Sequence, residues 1–153
     1  MADIALAVGP DTAILPLLNG MRQLDLLEAR FGAQHVLGGQ CVIAATLDGD
    51  GAVRHLNQTH GLTFGERDGS ASERMQRITG ELSDAGFDAR PSQHVLQDMW
   101  DKWVFLASLA GITCLMRGPV GAIVAAPGGT AAALALLEEC RAVAERAGHA
   151  PGE

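Results

Sequence analysis

The sequence predicts an α/β unit followed by an all-helical one, and three observations carry this. Up to Ala89 the chain alternates short apolar runs and helical patterns, punctuated by Gly, Asn and Asp turns. Arg90-Pro91-Ser92 then marks a change of character. Beyond it the apolar residues recur only at helical spacing, with no strand pattern. The boundaries read as 1–91 for the first unit and 92–153 for the second. At 153 residues and 48% hydrophobic content the chain can bury a sizeable core. A self-contained α+β domain is the alternative.

Ala2 to Val8 reads as the end of a helix, followed by a turn at Gly9-Pro10-Asp11. Ile14 to Leu18 suits a buried parallel strand that ends at Asn19-Gly20. Leu24, Leu27 and Phe31 give the next helix its apolar face, with Gly32 as its stop. Val36 to Leu47, Ala52 to Thr59 and Leu62 to Gly65 read as an antiparallel meander turning first at Asp48 to Gly51. Ser70 and Glu73 have capping-box spacing ahead of a helix whose face is Met75, Ile78, Leu82 and Ala85, closing at Gly86. Phe87 to Ala89 is a last short strand. A helix is expected from Gln93 to about Ala110 and a second helical stretch to Ala125. Thr130 then caps a final helix running to Ala147, with Gly148 past its end.

A net charge of -7 argues against nucleic acid or an anionic membrane as a general partner. Cys41, Cys114 and Cys140 form no C-x-x-C pair and read as reduced, buried thiols of a cytoplasmic protein. No signal peptide is visible at the start. The uncharged run Trp103 to Met116 is too short to span a bilayer. The five histidines show no ligand spacing, so no metal site is expected.

Two residues stand out chemically. Lys102 is the last charge before Arg117 and shares a helix face with His94 and Asp98. A lysine at the rim of an apolar wall holds a reactive ammonium beside whatever binds there; an Asp98–Lys102 surface pair is the plainer explanation. Asn19 follows a strand-like run at the carboxyl end where α/β sheets bind ligands, or is simply an Asn-Gly turn. Gly38-Gly39 and Gly128-Gly129 match neither a dinucleotide fingerprint nor a P-loop.

Taken in order, several segments resemble the ketopantoate reductase family. They are Leu17-Leu18-Asn19-Gly20-Met21, Val36-Leu37-Gly38-Gly39 with His55 and Leu62-Thr63-Phe64-Gly65, Asp98 to Trp103, and Leu136 to Gly148. The resemblance implies the back half of a Rossmann-type domain joined to the start of a helical domain like that of 6-phosphogluconate dehydrogenase. It implies NADPH-dependent reduction of a 2-oxo acid, 2-dehydropantoate in the family, within pantothenate biosynthesis. Lys102 matches the catalytic lysine and Asn19 the asparagine that positions cofactor and substrate. Glu139 matches a helix glutamate. Many members carry asparagines one and two turns after the lysine, where Leu106 and Ala110 stand here, and Thr113 is the hydroxyl that would serve in their place. The family's G-x-G-x-x-G loop and its later substrate-binding groups do not occur in these residues, so a partial chain with little activity of its own is expected. A non-catalytic remnant or oligomerisation module is the alternative, and a homo-oligomer is expected by kinship.

Overall fold

The computed structural model describes residues 4–152. The chain divides into two compact units, Met1–Leu96 and Gln97–Glu153.

In the first unit the helix end expected at Ala2 to Val8 begins outside the described residues; within them it is one 3-10 turn, Ala5–Ala7. Ile14 to Leu18 is not a strand. Only Ile14 pairs, in a parallel bridge to Val36, with its N–H donating to the His35 carbonyl at 2.6 Å. Leu17 and Leu18 are 49% and 66% exposed. The run therefore lacks the cover on both faces that a buried parallel strand requires. Helix α1, Arg22–Phe31, buries Leu24 and Leu27 and ends at Gly32, whose N–H bonds to the Glu28 carbonyl.

Strands β1 (Gly38–Leu47) and β2 (Val53–Gly65) form an antiparallel hairpin whose register runs from Gly38↔Gly65 to Leu47↔Val53. The two strands expected at Ala52 to Thr59 and Leu62 to Gly65 are thus one. Their separation is a bulge: Ile43 faces His60 but Ala45 faces His55, so the four residues Leu56 to Thr59 of β2 stand opposite Ala44 alone. The expected meander is a hairpin. Its neighbour on the other side is β3, Asp88–Pro91, parallel to β2.

Helix α2, Glu73–Leu82, lays Met75, Ile78 and Leu82 against Leu37, Leu62 and Phe64, which form the core of this unit. Burying each large side chain contributes about 1.5–3 kcal/mol. The helix starts two residues later than the expected Ser70 cap. Ser70 N–H is taken by the Asp68 carboxylate at 3.0 Å, and Ser72 caps instead, accepting from Met75 N–H at 3.2 Å. It also ends at Leu82 rather than Gly86.

Ser72 has a second role. Its hydroxyl donates to Glu66 Oε1 at 2.5 Å, and Arg74 forks onto both Glu66 oxygens while its other nitrogen donates to the Gln34 carbonyl. Glu66 is buried, and the Arg74 guanidinium holds its carboxyl below the usual range against the opposing effect of burial. Because the folded value lies below that of the unfolded chain, the stabilisation is present above about pH 4.3 and lost as pH falls through the folded value. The unfolding free energy should therefore decline as pH falls below about 4.3. Glu66→Gln should flatten that part of the profile in urea titrations; an unchanged slope would remove Glu66 as its source.

The β1 and β2 glycines serve a close approach. Gly38 and Gly65 are partners across the hairpin, and Val95, 1% exposed, sits over both. A Cβ on Gly38 would lie 2.5 Å from Val95 Cγ1, and one on Gly65 would lie 2.0 Å from the Ser92 carbonyl oxygen. Val95 is also the first residue of α3, Val95–Met116.

The second unit consists of the rest of α3, a short α4 (Val120–Ala125) and α5 (Gly129–Arg146). Val104 of α3 packs on Cys140 and Ala144 of α5, bordered by Trp100, Trp103, Ala107, Leu136 and Leu137. Trp100 lies edge-on to Trp103 and stacks on His149 at 5.6 Å. The break expected near Ala110 does not occur, and α3 runs straight through Gly111. A Cβ there would approach Leu136 Cδ2 to 2.9 Å, so the glycine's helix cost of about 1 kcal/mol is offset by interhelical packing. The N-cap of α5 is Gly128 at φ +78, not Thr130. At 22 residues α3 is long and apolar enough to cross a membrane by length and composition, unlike its uncharged part alone. The three cysteines form no disulfide; Cys140 is buried and Cys41 half-buried, but Cys114 is exposed, contrary to expectation.

Candidate functional site

Asn19 stands exposed in the first unit at the turn into α1. The turn needs a left-handed residue, supplied by Gly20 at φ +96. Gln23, in the first turn of α1, holds it from both sides: its Nε2 donates to the Leu18 carbonyl at 3.1 Å and the Gly20 carbonyl at 2.6 Å. Asn19 thereby sits on a clamped backbone with its side chain exposed. Gln23 carries no signal in the sequence, because a glutamine in a first turn is ordinary helix surface.

Lys102, Thr113 and Glu139 belong to the second unit. Lys102 is half-buried on α3, where no further charge follows before the helix ends at Met116. His94, expected on the same helical face, precedes the helix, and its N–H bonds to Ser92 Oγ. Thr113 lies eleven residues after Lys102, which is three turns along the same face and about 16 Å of rise. Its hydroxyl donates back to the Leu109 carbonyl at 2.7 Å. Glu139 is exposed on α5 next to the buried Cys140. Its neighbour Glu138 pairs with Arg141 at 3.5 Å.

A cleft of about 690 Å³ lies in the first unit beside α2, lined by Glu66, Ser72, Met75, Gln76, Pro91 and Gln93 among others. Asn19, Lys102, Thr113 and Glu139 are not among its lining residues. Among the described residues no group of three or more His, Cys, Asp or Glu could hold a metal ion.

A mixed α/β unit followed in the chain by an all-helical one is the arrangement of a class of two-domain oxidoreductases. Comparison with known proteins agrees. The profile of ketopantoate reductase PanE/ApbA matches residues 1–69, and that of the PanE/ApbA C-terminal region matches residues 94–153. The chain belongs to the ketopantoate reductase family. It is 34% identical over 146 residues to an uncharacterized oxidoreductase, YkpB, of Bacillus subtilis, covering 95% of this chain and 48% of that protein. It is 30% identical over 131 residues to the 2-dehydropantoate 2-reductase of Mesorhizobium japonicum, covering 86% of this chain and 40% of that one. The crystal structure of 2-dehydropantoate 2-reductase from Porphyromonas gingivalis superposes with a TM-score of 0.87 at 24% identity, over 98% of this chain and 52% of that one. The chain spans about half the length of the curated relatives it matches. The fold is that of a Rossmann-type domain's later part followed by the beginning of a helical domain.

Proposed function

We propose that the chain carries part of the active site of an NADPH-dependent reductase of 2-oxo acids of the 2-dehydropantoate reductase type. Residues 1–91 would be the nucleotide-binding portion and 92–153 the start of the helical domain. The observation that supports this best is Lys102, half-buried where α3 loses all other charge, in a chain of this family. Its ammonium donates a hydrogen bond to the substrate's keto oxygen, counters the negative charge that develops there and releases the proton that makes the alcohol. Asn19, held by Gln23, orients cofactor and substrate with its amide. Glu139 and Thr113 are proposed as further binding residues; the Thr113 hydroxyl, having given its proton to the helix, offers lone pairs.

The residues present fit one end of the cofactor. The exposed Asn19 amide suits its nicotinamide portion, while no G-x-G-x-x-G loop for its phosphates occurs in the 153 residues. The reduced cofactor supplies the hydride. Taken by itself the chain should turn over poorly for lack of that phosphate cradle.

The test is cofactor oxidation by the complete gene product with a panel of 2-oxo acids. Turnover with NADPH is expected, and Asn19→Ala should lower kcat/KM about 10- to 100-fold. Absence of turnover with every 2-oxo acid would sink the reading. It would favour an interaction module, a reading that draws on the exposed Phe105, Leu115 and Leu134 of the second unit.

A further inference from the structure

The face of α3 that carries Lys102 has a composition that bears on the substrate. Residues four, seven and eleven places on from Lys102 share its face of the helix, and they are Leu106, Leu109 and Thr113. All three are half-buried, so each presents surface along that strip. From Trp103 to Met116 α3 has no charged side chain and only two hydroxyls. Both hydroxyls donate to the helix's own backbone: Ser108 Oγ to the Val104 carbonyl and Thr113 Oγ1 to the Leu109 carbonyl, each at 2.7 Å. Back-bonding of this kind occupies the one proton that a hydroxyl has to give. The strip that continues from the ammonium is therefore hydrocarbon, and its only hydroxyl has no proton left for a ligand.

Resting on the reductase reading above, we propose that Leu106 and Leu109 set the specificity of this site for a 2-oxo acid whose chain beyond the keto carbon is hydrocarbon without a hydroxyl. The ammonium takes the keto oxygen. The alkyl substituent then lies along Leu106 and Leu109, where burying apolar surface against apolar surface is favourable. A hydroxyl beside Leu106 and Leu109 would give up its hydrogen bonds to water, and neither side chain has a polar atom to replace them. A hydrophobic wall rejects an added hydroxyl only moderately, so the expected discrimination is about 10- to 100-fold in kcat/KM.

The experiment compares 2-dehydropantoate with the analogue in which its terminal hydroxyl is replaced by methyl, using the complete gene product. The methyl analogue should be preferred by at least about 10-fold. Leu106→Asn, and separately Leu109→Asn, should move the kcat/KM ratio back toward 2-dehydropantoate by a similar factor while the variants keep the wild-type circular dichroism. A preference for 2-dehydropantoate in the unsubstituted protein overturns the proposal. So does a preference for the methyl analogue that neither asparagine variant changes, because the discrimination would then arise elsewhere. If neither acid nor any other 2-oxo acid is reduced, the reductase reading falls and this inference with it. Reduction of other 2-oxo acids with the ratio unmoved would defeat the inference alone.

Discussion

Gly65→Ala should lower the unfolding free energy by about 3 kcal/mol, at the upper end of what an added methyl group costs in a packed interior. The new Cβ would lie 2.0 Å from the Ser92 carbonyl oxygen, 3.2 Å from its carbon and 3.3 Å from Val95 Cβ. The nearest of these is backbone, so no rotamer change relieves the contact. Ser92 cannot easily retreat, since its N–H is bonded to the Phe64 carbonyl at 2.8 Å. Moving it would open that bond beside the fully buried Phe64. Urea denaturation followed by circular dichroism measures the change. Gly80→Ala is the matched control: Gly80 lies inside α2 with nothing within 4 Å of a Cβ. There the methyl group should stabilise by about 0.5–1 kcal/mol through helix propensity. If both variants shifted stability alike, the packing account of Gly65 would be wrong.

Lys102→Met should reduce kcat for 2-oxo acid reduction by about 10²- to 10⁴-fold, the range of a lost general acid. This corresponds to roughly 3–5 kcal/mol of barrier. Methionine keeps the length and the apolar stem, so α3 packing through Val104 should survive and the fold should be unaffected. Lys102→Arg separates the two roles assigned to the ammonium. A guanidinium retains the charge but holds its proton too tightly to donate it at neutral pH. That variant should recover part of the charge stabilisation and little of the proton transfer, leaving kcat well below wild type. Steady-state rates and cofactor binding by fluorescence should show the loss falling on kcat. Full activity in Lys102→Met would remove the lysine from the chemistry.

Helix faces were the most legible part of this fold. Leu24 and Leu27 in α1, and Met75, Ile78 and Leu82 in α2, announce the buried side by their spacing alone and occupy it. What the pattern could not convey depends on contacts distant in sequence. Gly111 looks like a helix break until Leu136 of α5 is seen to lie against it. Ser70 and Glu73 satisfy a capping rule, but Asp68 claims the Ser70 N–H and moves the cap to Ser72. Ile14 to Leu18 has strand composition, yet a strand exists only where partners extend along it, and only Ile14 finds one. The candidate site divides in the same way. Lys102 is conspicuous because charge stops there, whereas Gln23 becomes visible only through the two carbonyls that it holds.

The three-residue contact of Gly38, Gly65 and Val95 also constrains how homologous sequences can drift. The obstacle to a side chain at position 38 is the side chain of Val95, so a larger residue at 38 can be accepted when 95 becomes smaller. The two positions should change together across related genes. Position 65 has no such partner, because its obstacle is the main chain of Ser92, which every substitution at 92 retains. One glycine of the pair is therefore negotiable through a second mutation, while the other is fixed for as long as this crossing of the chain persists.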